Sequence, residues 1–200
     1  MQSKTTSLLE HKQRAARELK HYLAVFPEEA LALRALDIQL DTDQGNIFSR
    51  SNMTGHITTS ALVLDFAADK VLLIHHKLYD KWLQPGGHFE EDCNSIWESA
   101  LREAVEETSV SDARLHLWNI SNIPFDIDTH DIAAQAKKNE GDHFHHDFIY
   151  LFTADSTLPL TPQQEEVFGA KWIDVSELGM LPHKRFARIL AKLKSKGIIG

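Results

Sequence analysis

Three glutamates crowd into "REAVEET": Glu103, Glu106 and Glu107. At about 100° per residue they share one arc of a helix. Like charges three and four residues apart repel by about 0.2–0.5 kcal/mol per pair on an exposed helix, and by more when part-buried. These also sit toward the C-terminal end of the helix, where the backbone dipole disfavours anions. On the helical wheel Glu107 falls between Ile96 and Ala100, on the apolar side, with Glu103 at its edge, so a solvated charged face does not account for them. A divalent cation would, because it takes several hard oxygen ligands from one side. Upstream, Gly86 and Gly87 in "WLQPGGHFEE" let backbone approach a ligand closely, and a freed carbonyl there is a further oxygen ligand.

The elements that must position these groups follow from the pattern. The acidic helix is expected over 96–108, with Ser95 as N-cap and Glu98 completing a capping box. Its apolar positions are Ile96, Trp97, Ala100, Leu101, Ala104 and Val105. "ITTSALVLD" and "KVLLIHH" around "FAAD" predict a hairpin. "LHLWNI", "HFHHDFIYLFTA" and "AKWIDV" predict further strands, and "DVSELGML" and "PHKRFARILAKLKS" closing helices. A helix is expected over 5–26, and Pro27 with Glu28 and Glu29 predicts a second one fading by Leu40. The fold class is α+β: a helical arm over 1–45, then a domain over 46–200. The apolar stripe of the arm must be buried somewhere, against the domain or in a homodimer contact.

From Gly86 to Val110 the chain resembles the Nudix hydrolases, whose signature is G-x5-E-x7-R-E-U-x-E-E-x-G-U with U apolar. Arg102-Glu103 and Glu106-Glu107 match its core. Two departures stand out. The loop is one residue longer, so the first signature glutamate has no direct match, and Glu90, Glu91 or Asp92 stands in for it. Ser109 replaces the last glycine, at a position where a left-handed backbone costs a serine about 1 kcal/mol. The resemblance extends over roughly 56–180 in strand order. It implies a mixed β-sheet sandwiched between helices. It also implies cleavage of a pyrophosphate bond in a nucleoside diphosphate derivative, with Mg²⁺ or Mn²⁺ held by Glu103, Glu106, Glu107 and the Gly86 carbonyl. Arg102 would orient a neighbouring carboxylate. The general base would be Glu106 or Glu107, or Glu165 or Glu166 in "TPQQEEVFGAKW". Specificity would lie in loops such as 126–142.

The chain has twelve histidines. His11 and His21 are expected on a polar helix surface. In "HFHHDFIYLF" a period of two sets Phe144, His146, Phe148, Tyr150 and Phe152 on one face, the better core. His143, His145, Asp147 and Ile149 fall on the other, open to substrate contact, a second metal site, or water.

Composition bounds the rest. A formal charge of -8 argues against binding a nucleic-acid polymer. The one cysteine, Cys93, makes neither an internal disulfide nor a cysteine-based zinc site. No apolar run is long enough for a membrane span and the N-terminus lacks a signal-peptide core, so a cytoplasmic protein is expected. The sequence is read as a metal-dependent Nudix-type hydrolase. The alternative is a catalytically silent Nudix-fold domain that binds a nucleotide or a protein. A Nudix-fold isomerase is weaker, since nothing marks a prenyl diphosphate site.

Overall fold

The computed structural model describes residues 7–90, 92–111, 123–134 and 140–200, and the backbone of 116–117. The elements are α1 (Leu8–Val25), α2 (Arg34–Thr42), β1 (Gly55–Asp65), β2 (Lys70–His76), β3 (Lys81–Leu83), β4 (Gly86–His88), α3 (Ile96–Thr108), β5 (His116–Leu117), β6 (Asp126–Ile132), β7 (His143–Ala154), β8 (Val167–Asp174) and α4 (Lys184–Ser195). The sheet order is β3-β2-β1-β7-β5, with β4 on β1, β6 on β7 and β8 on β2. The expected α+β class with an N-terminal helical extension is what the chain adopts.

Two compact units divide the chain: Met1–Thr59, Gly87–Ala100 and Ser121–Tyr150 form the first, and Ser60–Gly86, Leu101–Ile120 and Leu151–Gly200 the second. In the first unit, α1 begins with a reciprocal box. The Ser7 hydroxyl accepts the Glu10 N–H at 3.3 Å, and the Glu10 carboxylate accepts the Ser7 N–H at 2.8 Å. Ala15, Leu19 and Tyr22 on α1 are buried. His11, expected on the polar surface, is buried as well, its ring against Phe48 and Phe89. An imidazole presents an apolar body, and two phenyl rings cover it.

The helix expected from Pro27 is instead a 3-10 turn at Pro27–Glu29, with α2 starting at Arg34. Leu33 and Leu36 are fully buried, so the backbone bends to follow the core rather than extend one axis. The segment 126–142, expected as a loop, opens with strand β6. It pairs antiparallel with β7 from Asp126↔Ile149 to Ile132↔His143. "DIDTHDI" has weak strand propensity, and the ladder offered by β7 overrides it. Residues 135–139 of that loop lie outside the described residues, as does all of "LHLWNI" except His116–Leu117.

In the second unit β1 and β2 form the expected hairpin, with Leu64 opposite Val71. Ala68 carries the positive φ of 59° that closes its turn. β8 pairs along β2 from Lys70↔Asp174 to His76↔Val167. "DVSELGML" forms a 3-10 turn, Val175–Met180, capped reciprocally by Asp174 and Glu177. α4 buries Phe186, Ile189 and Leu193.

Candidate active site

Helix α3 places the glutamates. The Ser95 hydroxyl accepts the Glu98 N–H at 3.3 Å, as a cap should. The Glu98 carboxylate accepts the Asn94 N–H at 2.9 Å rather than that of Ser95, so the box is offset by one residue. At the far end the helix stops after Thr108. Ser109 has φ 59° and donates its N–H to the Val105 carbonyl at 2.8 Å, a left-handed cap. Its hydroxyl also donates to the Thr161 carbonyl at 2.6 Å.

The carboxylates then separate by environment. Glu106 is exposed, Glu103 buried, and Glu107 only 2% exposed. Arg102 spans the first two: Nη2 lies 2.7 Å from Glu103 and Nη1 2.7 Å from Glu106. One guanidinium thus fixes two carboxylate orientations by charge-assisted hydrogen bonds. Glu107 points elsewhere. Its Oε2 accepts the Gly86 N–H at 2.9 Å. Its Oε1 is buried with no hydrogen-bond partner among the described residues.

Burial pushes Glu107 up to about 8 against the pull of the Gly86 N–H, and the charges of Glu103, Glu166 and Glu106 push the same way as burial. A carboxylate oxygen buried without a partner, in a field of three other carboxylates, is costly by itself. This donor set fits a hard divalent cation. Gly86 is positioned by β1: the Ala61 N–H donates to the Pro85 carbonyl at 2.9 Å, and the Gln84 amide to the Ser60 hydroxyl at 3.2 Å.

Glu165 and Glu166 are exposed in the turn entering β8, where the Lys77 N–H donates to the Glu166 carbonyl at 2.9 Å. Glu166 acts on Glu107 through its charge. Glu90 and Asp92 are exposed loop residues, and Glu91 lies outside the described residues.

The strand face of His143, His145 and Asp147 is not the dispensable, wet face its pattern allowed. His143 and Asp147 are buried and His145 is half-buried. Both faces of β7 are covered: Glu18 of α1 and Gln39 of α2 meet Tyr150 and His146 on one, and Thr58 and His56 of β1 lie against Asp147, His143 and His145 on the other. Asp147 accepts the Thr58 hydroxyl at 3.3 Å. On the opposite face His146 is a satisfied core histidine, with Thr129 at 3.0 Å and Gln39 at 3.0 Å. His143 and His145 are gathered with His56, and the rings of His88 and His130 stand beside them. Burial first, then the neighbouring imidazoles, push His145 down to about 2 and lower His56. His56 and His88 are far from His143 and His145 in the sequence, and the segment between β6 and β7 separates His130 from them. They lie on three other strands, and no local spacing joins them.

The family profile described as "NUDIX domain" matches residues 55–194. This chain belongs to the NUDIX family. A probable DHNTP pyrophosphohydrolase of Lactococcus lactis subsp. cremoris is 31% identical over 109 residues, 54% of this chain and 61% of that protein. The chain thus spans about three-fifths of the length of that relative. The crystal structure of a NUDIX-family hydrolase from Clostridium perfringens is 26% identical, with TM-score 0.50 over 70% of this chain and 96% of its own. A C. elegans Ap4A hydrolase in a binary complex shares the fold at 16% identity, with TM-score 0.53 over 71% of this chain and 97% of that one. The NUDIX fold is the mixed-sheet α+β fold expected for this chain. Among the described residues no helix of the NUDIX chain is long and apolar enough to cross a membrane.

Proposed function

We propose that this NUDIX chain is a Mg²⁺- or Mn²⁺-dependent, cytoplasmic hydrolase that cleaves a pyrophosphate bond in a nucleoside diphosphate derivative. The observation that carries the reading is Glu107: buried, partnerless at Oε1, and surrounded by like charge. Glu103, Glu106 and Glu107 would hold the cation, with the Gly86 carbonyl as a further ligand. A cation held there would neutralise the diphosphate and lower the pKa of a water beside it. Arg102 keeps Glu103 and Glu106 in one orientation, and the Gly86 N–H does the same for Glu107. Glu166 would take the proton of the attacking water in preference to Glu165, a choice supported by the bearing of its charge on Glu107.

His145, the half-exposed member of its strand face, is where substrate contact on that face is assigned, with His143 and Asp147 behind it. The relative named a probable DHNTP pyrophosphohydrolase supports the class of bond. Residues 1–45 serve as an arm to the domain of 46–200, and the exposed Leu9 and Leu31 on it support a homodimer contact.

The test is phosphate or pyrophosphate release from a panel of nucleoside diphosphate derivatives with Mg²⁺ or Mn²⁺. Glu107→Gln should lose turnover by orders of magnitude, with a melting temperature equal to or above wild type, because a neutral amide carries neither the burial penalty of the carboxylate nor its repulsion from Glu103, Glu166 and Glu106. Glu166→Gln should lose about a hundredfold or more, and Glu165→Gln little. No release from any compound by the wild-type chain would favour the silent nucleotide- or protein-binding domain.

A further inference from the structure

Away from the carboxylates, the first unit holds a cluster of imidazoles whose close grouping substrate contact at His145 does not explain. His56 opens β1, and His143 and His145 stand on one face of β7. One ring nitrogen of each lies within 4.8 Å of the other two. Ring centroids are 5.0 Å apart for His56 and His143, 4.6 Å for His56 and His145, and 5.1 Å for His143 and His145.

The tautomers follow from the backbone. Nδ1 of His143 is 2.8 Å from the Gly141 carbonyl oxygen, and Nδ1 of His56 is 3.4 Å from that of Asn52. A carbonyl only accepts, so each Nδ1 carries the proton and each Nε2 presents a lone pair. His56 is 1% exposed, and its Nε2 has no hydrogen-bond partner among the described residues. A buried acceptor is normally paired, and here the neighbouring groups are further imidazoles. Folding would ordinarily avoid such an arrangement.

A ring N–H donated to a backbone carbonyl, with the other nitrogen free, is the arrangement that orients a metal-ligating histidine. We propose that His56, His143 and His145 form a binding site for a transition-metal ion of the Zn²⁺ class, distinct in chemistry from the carboxylate cluster. Three neutral imidazoles suit Zn²⁺, Co²⁺, Ni²⁺ or Cu²⁺ and are poor ligands for Mg²⁺. Tetrahedral zinc bonds of about 2.0–2.1 Å would bring the three nitrogens to about 3.3 Å from one another, drawn in from their present separations of up to 4.8 Å. Half-buried His145 supplies the way in. The fourth position falls to water or to His88, whose ring is 5.2 Å from that of His56 and 5.7 Å from that of His145.

The experiment is a Co²⁺ and Zn²⁺ titration of the chelator-stripped full-length protein in excess Mg²⁺, which keeps hard carboxylate sites occupied. The wild-type chain should take one equivalent of Co²⁺ with the absorption of a nitrogen-rich tetrahedral site, and Zn²⁺ should bleach it. His143→Gln and His145→Gln should each weaken binding by about tenfold to a hundredfold or more. His145 is part-exposed, so its substitution tests the site even where a change at the buried His143 disturbs folding. Circular dichroism verifies the fold of each variant. Glu107→Gln should leave the Co²⁺ spectrum unchanged. The proposal fails if the stripped wild-type chain shows no saturable Co²⁺ or Zn²⁺ site under excess Mg²⁺. It fails equally if a saturable site survives His145→Gln in a folded protein with unchanged affinity and spectrum.

Discussion

Glu18 lies on the inner face of α1 and accepts a hydrogen bond from the buried Tyr150 hydroxyl. Burial pushes its carboxyl up from 4.5 to about 7, against the pull of that hydroxyl and of Arg14 and Arg17. Between those two values the folded chain binds more protons than the unfolded one. Stability therefore falls as pH rises through that window and is not lost below it. The fall should be on the order of 3 kcal/mol by pH 8. Glu18→Gln keeps the acceptor for Tyr150 and removes the titration. Urea unfolding at several pH values should show the variant matching wild type near pH 4 and exceeding it at pH 8. A parallel pH dependence in both proteins would mean that Glu18 does not carry the burial penalty. Glu107 shows the same physics in a different role. Its side chain lies under Gly86 with one oxygen unpaired, which a bound cation would turn from a cost into a ligand.

Ser109 decides how α3 ends. Its backbone holds the left-handed conformation at φ 59°, which costs a side-chain-bearing residue about 1 kcal/mol relative to glycine. Its hydroxyl recovers part of that through the Thr161 carbonyl. Ser109→Gly should therefore be near neutral, since strain and hydrogen bond leave together. Ser109→Ala keeps the strain, loses the bond, and should be about 1 kcal/mol less stable than the glycine variant. Thermal melts of both variants read this directly. An alanine variant as stable as the glycine one would show that the cap is not under strain. β7 shows another element-scale effect. A period of two separates its faces correctly, yet both are buried, because side chains of α1 and α2 cover one and side chains of β1 crowd the other.

The arm belongs to the first compact unit rather than standing apart from it. Three of its side chains meet buried polar groups far along the chain: Glu18 with Tyr150, Tyr22 with Asp126 at 3.3 Å, and Gln39 with His146 at 3.0 Å. Removing residues 1–45 strips those partners and uncovers the surface now buried by Leu19, Tyr22 and Leu36. Each stranded buried group costs about 1–3 kcal/mol. The 46–200 fragment should thus be insoluble, or melt more than about 10 °C below the full chain. A soluble fragment with an unchanged melting temperature would make the arm an independent extension.

What the sequence determined by itself was local. The span of α3, its Ser95 cap and the side on which Glu107 falls all follow from rules that act within a few residues, and the left-handed Ser109 follows from the glycine that the family signature has there. Those rules also carried the resemblance to the family, because its signature is one loop and one helix. Only the tertiary structure decided which side chains meet across long separations. Strand β6 exists because β7 offers it a ladder, not because "DIDTHDI" favours extension. His11 is buried because Phe48 and Phe89 close over it. His56 reaches His143 and His145 because β1 and β7 lie side by side in the sheet order. Periodicity reports on one element at a time, and contacts between elements depend on pairing and burial that no short window of sequence contains.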